Sequence, residues 1–362
     1  MSHYEERLEQ DLGKIREQIA AMAGKVEEGL KNAVRALQTG DCKLASTVIL
    51  ADHPINRSMR EIDRLCHAFI AVHLPSAGHL RLLSSAIRAN IEIERIGDYA
   101  VTIARVSQQL AAPPEGELGR ELERIANQAQ FMLGQAITAF NGLNAEMAKA
   151  TMALERGMEY DLDSVYAELA ANEDHERAKE LLAVFSVLTR LKRVADQAKN
   201  LCEETVFAVT GEAKAPKVYK ILFVDEDNGC LSQMAEAVAR KAFPESGLYD
   251  SAGRQPAAAL NAAMLQFMAQ HGFDLGEARP RPLDLTHQEL AEKHVIVSLQ
   301  GPVKDYFAKT PFHTTGLEWE VGSVPGDDDD AQETTQRLET IYREIAMQVR
   351  DLMETLRGTD AP

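Results

Sequence analysis

Apolar residues recur at every third or fourth position through the first two hundred residues of the chain, a spacing that places them on one face of a helix. One such stripe consists of Ile15, Ile19, Met22, Val26 and Leu30. From Tyr4 to about Gly211 no segment has a convincing strand pattern. The N-terminal half is therefore predicted to be an all-α bundle.

Three breaks divide this helical region, at residues 39–41, 74–78 and 111–119. Asp41 follows a glycine and is predicted to cap the next helix, because its side chain can accept a hydrogen bond from a free backbone N–H group. The third break, AAPPEGELG, contains prolines and glycines and is predicted to be a hinge between two halves.

The two halves of the helical region repeat the same pattern. In the first half, Asp41 and Ala45 lead to the acid Asp52, and the same spacing returns in the second half in Asn144, Ala148 and Glu155. Likewise ERIGDYAVTIA, residues 94–104, is echoed by KRVADQAKNLC, residues 192–202. A duplication of one three-helix unit accounts for both echoes.

The pattern changes after residues 211–216. Residues 220–224 and 294–298 are short apolar runs typical of buried parallel strands, and residues 232–243 and 331–356 are predicted to be helices. Strands that alternate with helices indicate an open α/β sheet. We therefore expect three domains, namely a three-helix repeat over 1–110, a second over 119–212 and an α/β domain over 218–362.

The charge restricts the range of partners. A formal charge of −17 argues against binding to nucleic acid or to an anionic membrane surface, because both are negatively charged. The sequence contains neither an apolar run long enough for a membrane span nor a signal peptide, so a cytoplasmic location is expected. The four cysteines are far apart and have no CxxC spacing, which is compatible with a reducing compartment.

Two acids on one predicted helix form the first candidate site. Glu94 and Asp98 are four residues apart and share a face with Asn90. A cation bound by oxygen ligands would relieve the repulsion between the two carboxylates. The alternative is an ordinary solvated face on which Glu94 pairs with a cation such as Arg95.

Three segments resemble PhoU, the phosphate-signalling regulator, and the resemblance covers about residues 4–212. They are DCKLASTVILADHPIN, LPSAGHLRLLSSAIRANIEIERIGDYAVTIAR and LKRVADQAKNLCEETVFAVTGE. The resemblance implies two three-helix bundles, multinuclear metal sites at E(D)xxxD motifs, and regulation through a Pst-type phosphate transporter and a phosphate-sensing histidine kinase. It also implies a homo-oligomer such as a dimer, which would reach the inner membrane only through a protein partner.

Carried over by position, Glu94 and Asp98 match the first metal motif of this family. In the second motif only Asp196 matches, because Lys192 stands in place of the acid and can neutralise Asp196. Asn90 and Glu203 are further candidate ligands. The expected cofactor is a divalent or trivalent ion, whether iron, zinc, manganese or magnesium.

The segment ILFVDEDNGCLSQMAEA, residues 221–237, resembles the phosphate loop of low-molecular-weight tyrosine phosphatases and of arsenate reductases with the same fold. Asn228, Cys230 and Ser232 are in register with that loop, and the resemblance extends over about residues 218–355. Asp225, however, replaces the cysteine nucleophile, and Leu231 replaces the anion-binding arginine. The proton donor of these enzymes is also missing, because Ser323 and Val324 stand near its position.

These replacements predict a pseudo-phosphatase, because a carboxylate repels a dianion and leucine offers it no donor. We therefore expect a PhoU-type regulator without catalytic residues. One alternative is a magnesium-dependent aspartyl phosphatase, since an apolar strand followed by Asp225 and Asp227 also resembles haloacid dehalogenase-type phosphatases. In either case a cation at Asp225 and Asp227 is a further candidate. A metal-free cytoplasmic scaffold is the third hypothesis.

Overall fold

The computed structural model describes residues 3–154, 175–214, 216–311, 314–326 and 330–358. The chain separates into two compact units, Met1–Lys214 and Ala215–Pro362. The first unit is helical throughout its described residues, as predicted. Its helices are α1 His3–Thr39, α2 Cys42–Val72, α3 Ala77–Gln109, α4 Gly116–Asn141, α5 Ala145–Met152 and α6 His175–Thr210.

The apolar stripe predicted on α1 lies inside the helical unit. All five of its residues are at most 2% exposed, and they join buried side chains of the other helices in one continuous core. The long helices α1, α2 and α3 pack against one another, and α6 packs against both α3 and α4. Burial of these stripes, rather than helix propensity, supplies most of the stabilisation of such helices.

The echo between the two halves has a structural cause. Asp41 caps α2 by accepting a hydrogen bond from the Leu44 amide at 2.9 Å, and Asn144 caps α5 through the Met147 amide at 3.0 Å. Four residues after each cap an alanine is completely buried, Ala45 in one half and Ala148 in the other. The predicted cap at Asp41 is thus confirmed, and Glu155 lies outside the described residues.

Removal of either cap is expected to lower the free energy of unfolding by about 1 kcal/mol, because one backbone N–H group at the helix start loses its acceptor. Asp41→Ala and Asn144→Ala should therefore have similar effects in urea unfolding followed by circular dichroism. Asp41→Asn keeps an acceptor oxygen and should restore most of the loss. If Asp41→Asn is as unstable as Asp41→Ala, the charge of Asp41 rather than its hydrogen bond stabilises α2.

The second unit is an α/β domain with four parallel strands in the order β2-β1-β3-β4. Its strands are β1 Tyr219–Asp225, β2 Gly247–Gly253, β3 Val295–Ser298 and β4 Thr315–Glu318. Its α-helices are α7 Leu231–Ala242, α8 Ala262–Gln270, α9 His287–Ala291 and α10 Ala331–Arg357. The predicted parallel sheet and the long C-terminal helix are confirmed, whereas β2 was not predicted as a strand.

The central strand β1 is buried on both faces, which explains its continuous apolar run. Ile221 and Phe223 belong to the larger core together with side chains of α7, α8 and α10. Leu222 and Val224, which alternate with them, belong to the smaller core on the opposite face. This burial holds the end of β1, and therefore the loop that follows it, in a fixed position. Among the described residues, every helix is too short or too polar to cross a lipid bilayer.

Candidate functional site

The loop between β1 and α7 lies at the carboxyl end of the central strand. Asp225 is the last residue of β1, and α7 begins at Leu231. In open parallel sheets this edge is where ligands bind, and the first amide groups of a helix favour an anion there. The question is therefore which group accepts hydrogen bonds from the amides of this loop.

The carboxylate of Asp225 fills that role. Its Oδ1 atom accepts a hydrogen bond from the Asn228 amide at 2.6 Å, and its Oδ2 atom accepts one from the Ser232 amide at 2.8 Å. The side chain is buried, with Asp225 1% exposed. Burial raises the pKa of this carboxyl group above its ordinary value, and the hydrogen bonds from the loop oppose that rise.

Asn228 fixes the shape of the loop. Its backbone has φ 51°, in the left-handed region that asparagine tolerates better than most residues. Its Nδ2 atom donates to the hydroxyl groups of Ser232 and Ser251 at 2.7 and 2.9 Å. Its Oδ1 atom accepts from the Gln233 side chain at 2.8 Å and from the Arg281 amide at 2.7 Å. The loop is thus held by β2, by α7 and by the segment around Arg281.

The other two acids of the loop face outward. Asp227 is exposed, and its Oδ1 atom accepts a hydrogen bond from the Gly229 amide at 2.8 Å. Glu226 pairs with Arg254 at 2.7 Å, and its amide donates to the Gln300 side chain at 3.0 Å. The candidate cation pair Asp225 and Asp227 therefore has one member whose two oxygens both accept backbone amides.

Neither Cys230 nor Leu231 is available to bind a ligand. Both are at most 1% exposed and lie in the larger apolar core of the domain. Burial, followed by the charges of Asp225 and Asp227, raises the pKa of the Cys230 thiol to about 12. Near the position at which the resemblance expects a proton donor, Ser323 is exposed and Val324 packs against the core.

The acids predicted on the helical unit lie on α3. Glu94 is half-buried and Asp98 is exposed, while Asn90, one turn earlier, is buried and donates from Nδ2 to the Met59 carbonyl oxygen at 2.8 Å. The pKa of Glu94 is raised by partial burial and then by the charges of Asp98 and Asp52. The pKa of Asp98 is raised by partial burial and then by Asp52. Asp52, on α2, is thus a third carboxylate at this place.

These residues suit a hard cation in charge and in donor type, because all of them offer oxygen. Two of the oxygens, Oδ1 of Asp52 and Oδ1 of Asn90, are buried and have no hydrogen-bond donor. Asn56 donates to the other oxygen of Asp52 at 2.7 Å. The side chains are not closed around one point, since the described residues contain no group of three or more His, Cys, Asp or Glu positioned to hold a metal.

The candidate ligands of the second half lie on α6 and have cationic neighbours. Arg193 donates to Asp196 at 3.4 Å, and Lys214 pairs with Glu203 at 2.7 Å. The next residue, Glu204, pairs with Arg88 of α3 at 2.6 Å. The two halves therefore differ in charge balance, because the acids on α3 repel one another while those on α6 are paired.

Asp52 was not among the ligands predicted from the sequence. One signal was present, because an acid occupies its place in both halves of the repeat, as Asp52 and as Glu155. That spacing by itself indicates the duplication and not a ligand. The approach of α2 to α3, which brings Asp52 near Glu94 and Asp98, is a tertiary contact that spacing along one helix does not reveal.

Each of the two units matches the model of a known protein family. The model of the PhoU domain matches residues 19–107 and again 122–205, and the model of the low molecular weight phosphotyrosine protein phosphatase matches residues 220–360. The chain is thus a two-part protein in which a duplicated helical domain precedes a phosphatase-like α/β domain.

The helical part has close relatives. It is 32% identical over 212 residues to the phosphate-specific transport system accessory protein PhoU homolog of Pseudomonas putida, covering 58% of this chain and 83% of that protein. It also resembles the crystal structure of PhoU from Pseudomonas aeruginosa, with 32% identity, a TM-score of 0.53, and coverage of 56% of this chain and 99% of that one. The chain belongs to the PhoU family.

Proposed function

We propose that this protein regulates phosphate uptake and phosphate-starvation signalling by contacting a Pst-type transporter and a phosphate-sensing histidine kinase, as a homo-oligomer. The observation that carries the proposal is the presence of both PhoU repeats in order, in a region that spans 83% of a relative named as a phosphate-specific transport accessory protein. The contacts with transporter and kinase are the means by which the protein would act.

We further propose that the helical domain binds a metal ion through Glu94, Asp98 and Asp52. The support is the mutual repulsion of the three carboxylates together with the buried, donorless oxygens of Asp52 and Asn90. A bound ion would supply positive charge that neutralises these groups and ties α2 to α3. The proposal does not extend to Asp196 and Glu203 as a second full site, because each has a cationic neighbour.

The α/β domain is proposed to lack hydrolytic activity. A carboxylate nucleophile needs a free oxygen directed at the substrate, whereas both oxygens of Asp225 accept amide hydrogen bonds in a buried setting. Leu231 adds no cationic donor, because its side chain is aliphatic, and that side chain is buried in the core. The same geometry weakens the case for a magnesium-dependent aspartyl phosphatase and for a cation held by Asp225 and Asp227.

Complementation tests the regulatory proposal. In a bacterial strain that lacks its own PhoU protein, the full chain is expected to restore repression of a phosphate-starvation reporter at high phosphate. The Glu94→Gln, Asp98→Asn double variant should restore less if the metal site contributes, and the Asp196→Asn variant serves as its control. Reporter expression that stays high with stably produced wild-type protein contradicts the proposal.

The purified protein is expected to show only background hydrolysis of an aryl phosphate, with or without Mg²⁺, because both oxygens of Asp225, at the position of the family's nucleophile, accept amide hydrogen bonds. Asp225→Ala should leave that background unchanged. The measurement is release of nitrophenol from p-nitrophenyl phosphate over a range of Mg²⁺ concentrations. Hydrolysis that requires Mg²⁺ and disappears in Asp225→Ala would instead establish the aspartyl phosphatase alternative.

A further inference from the structure

The loop after β1 has the form of an oxyanion cradle whose bound anion is part of the protein. Two of its amides, those of Asn228 and Ser232, point at one carboxylate, and each oxygen of that carboxylate takes one of them. The distances of 2.6 and 2.8 Å are those of charge-assisted hydrogen bonds. Asp225 therefore satisfies the donors that an external oxyanion would otherwise satisfy.

The shape of the cradle does not depend on Asp225 alone. The side chain of Asn228 makes four hydrogen bonds that involve other residues of the domain, and these hold the left-handed turn. Gly253 of β2 also lies directly against the loop, since a Cβ atom there would come within 2.5 Å of the Asn228 amide nitrogen. Such bracing predicts that the amides keep their direction when the Asp225 carboxylate is removed.

The three acids of the loop differ in how they would oppose binding of an external anion to the cradle. Glu226 is paired with Arg254, and Asp227 is exposed to solvent, where water screens its charge. Asp225 is different, because it lies inside the cradle and is almost completely buried. If phosphate is excluded because Asp225 occupies the cradle, only removal of the Asp225 carboxylate should admit phosphate. If it is excluded by negative charge alone, removal of the Asp227 carboxylate should have the same effect.

We propose that Asp225 is a built-in anion that occupies the oxyanion cradle, excludes phosphate and fixes the loop in its anion-bound form. The inference deepens the proposed lack of hydrolytic activity, and it stands on the loop geometry rather than on the regulatory role. It implies that the cradle is a tetrahedral-oxyanion site once the carboxylate is gone. In the natural protein the loop then has one conformation at every phosphate concentration.

The test compares Asp225→Ala with Asp227→Ala in the full chain, using inorganic phosphate as the probe. Both variants lose one negative charge from the same loop, but only the first frees the two buried amides. Isothermal titration should give an association constant for Asp225→Ala that is at least about tenfold higher than for Asp227→Ala, the value of one lost charge-assisted contact. Phosphate should also raise the unfolding temperature of Asp225→Ala alone.

Equal phosphate affinity in the two variants, or none in a folded Asp225→Ala variant, overturns the proposal. Asp225→Ser, which is small and uncharged, repeats the comparison if the alanine variant does not fold. The natural protein supplies a second measurement, because the amide resonances of Asn228 and Ser232 should not shift when phosphate is added. A saturable shift of either resonance also overturns the proposal. These results leave the complementation experiment unaffected, so the two proposals fail separately.

Discussion

Replacement of Asn228 by alanine is expected to lower the free energy of unfolding of the α/β domain by about 4 kcal/mol. The side chain is completely buried and makes four hydrogen bonds, two as donor and two as acceptor. Alanine would leave the Arg281 amide and the side chain of Gln233 with one acceptor fewer, in a place that water reaches poorly. It would also have to adopt the left-handed backbone conformation, which alanine disfavours.

Asn228→Gly separates these two costs. Glycine adopts the left-handed conformation freely, so it should recover about 1 kcal/mol of the loss while all four side-chain hydrogen bonds remain absent. Unfolding of this domain can be followed by the fluorescence of Trp319, the only tryptophan, which is 7% exposed and packs against Phe223. A loss below about 1 kcal/mol for Asn228→Ala would show that the network does not hold the loop.

The elements that the sequence predicted well are those whose pattern repeats over many residues. The stripe on α1 continues for four turns, and β1 is a run of apolar residues buried on both faces. The strand β2 was missed because its sequence, GLYDSAG, contains residues typical of turns. It is a strand because each of its seven residues pairs with one of β1, and that pairing is a tertiary interaction.

In the candidate sites, too, some contacts are local in the sequence and others are tertiary. The residues that donate amide hydrogen bonds to Asp225 are three and seven positions further along the chain, so all members of this contact lie in the loop segment that the sequence singled out. Ser251, Arg281 and Gln300, which complete the network, come from distant segments. What the loop resemblance could not show is that the carboxylate folds back into the cradle, because that depends on the side-chain conformation of Asp225.

A loop that is always occupied would restrict how phosphate can influence this protein. If Asp225 fills the cradle at every phosphate concentration, the surface of the α/β domain around the loop stays the same. The phosphate signal then has to enter through the helical domain or through a partner. On this view the α/β domain contributes a constant binding surface, and the carboxylates of α2 and α3 become the site whose state can change.

Neutralisation of the acid pair on α3 is expected to have opposite effects without and with metal. In metal-free protein, the Glu94→Gln, Asp98→Asn double variant should be more stable than the natural chain by about 0.5 kcal/mol, because like charges four residues apart repel and Asp52 adds to that repulsion. With Mn²⁺ or Zn²⁺ at a hundred times its dissociation constant, only the natural chain should gain stability, by about 2.7 kcal/mol.

This reversal distinguishes a metal site from an ordinary solvated face. The matched control is Glu117→Gln with Glu121→Gln, an acid pair of the same spacing on α4, which should not change the response to metal. Asp52→Asn should weaken metal binding if the third carboxylate takes part. The measurements are urea unfolding of the helical domain by circular dichroism and elemental analysis of protein purified without chelator. If metal stabilises the natural chain and the double variant equally, the substitutions on α3 have removed no ligand. The ion would then bind elsewhere.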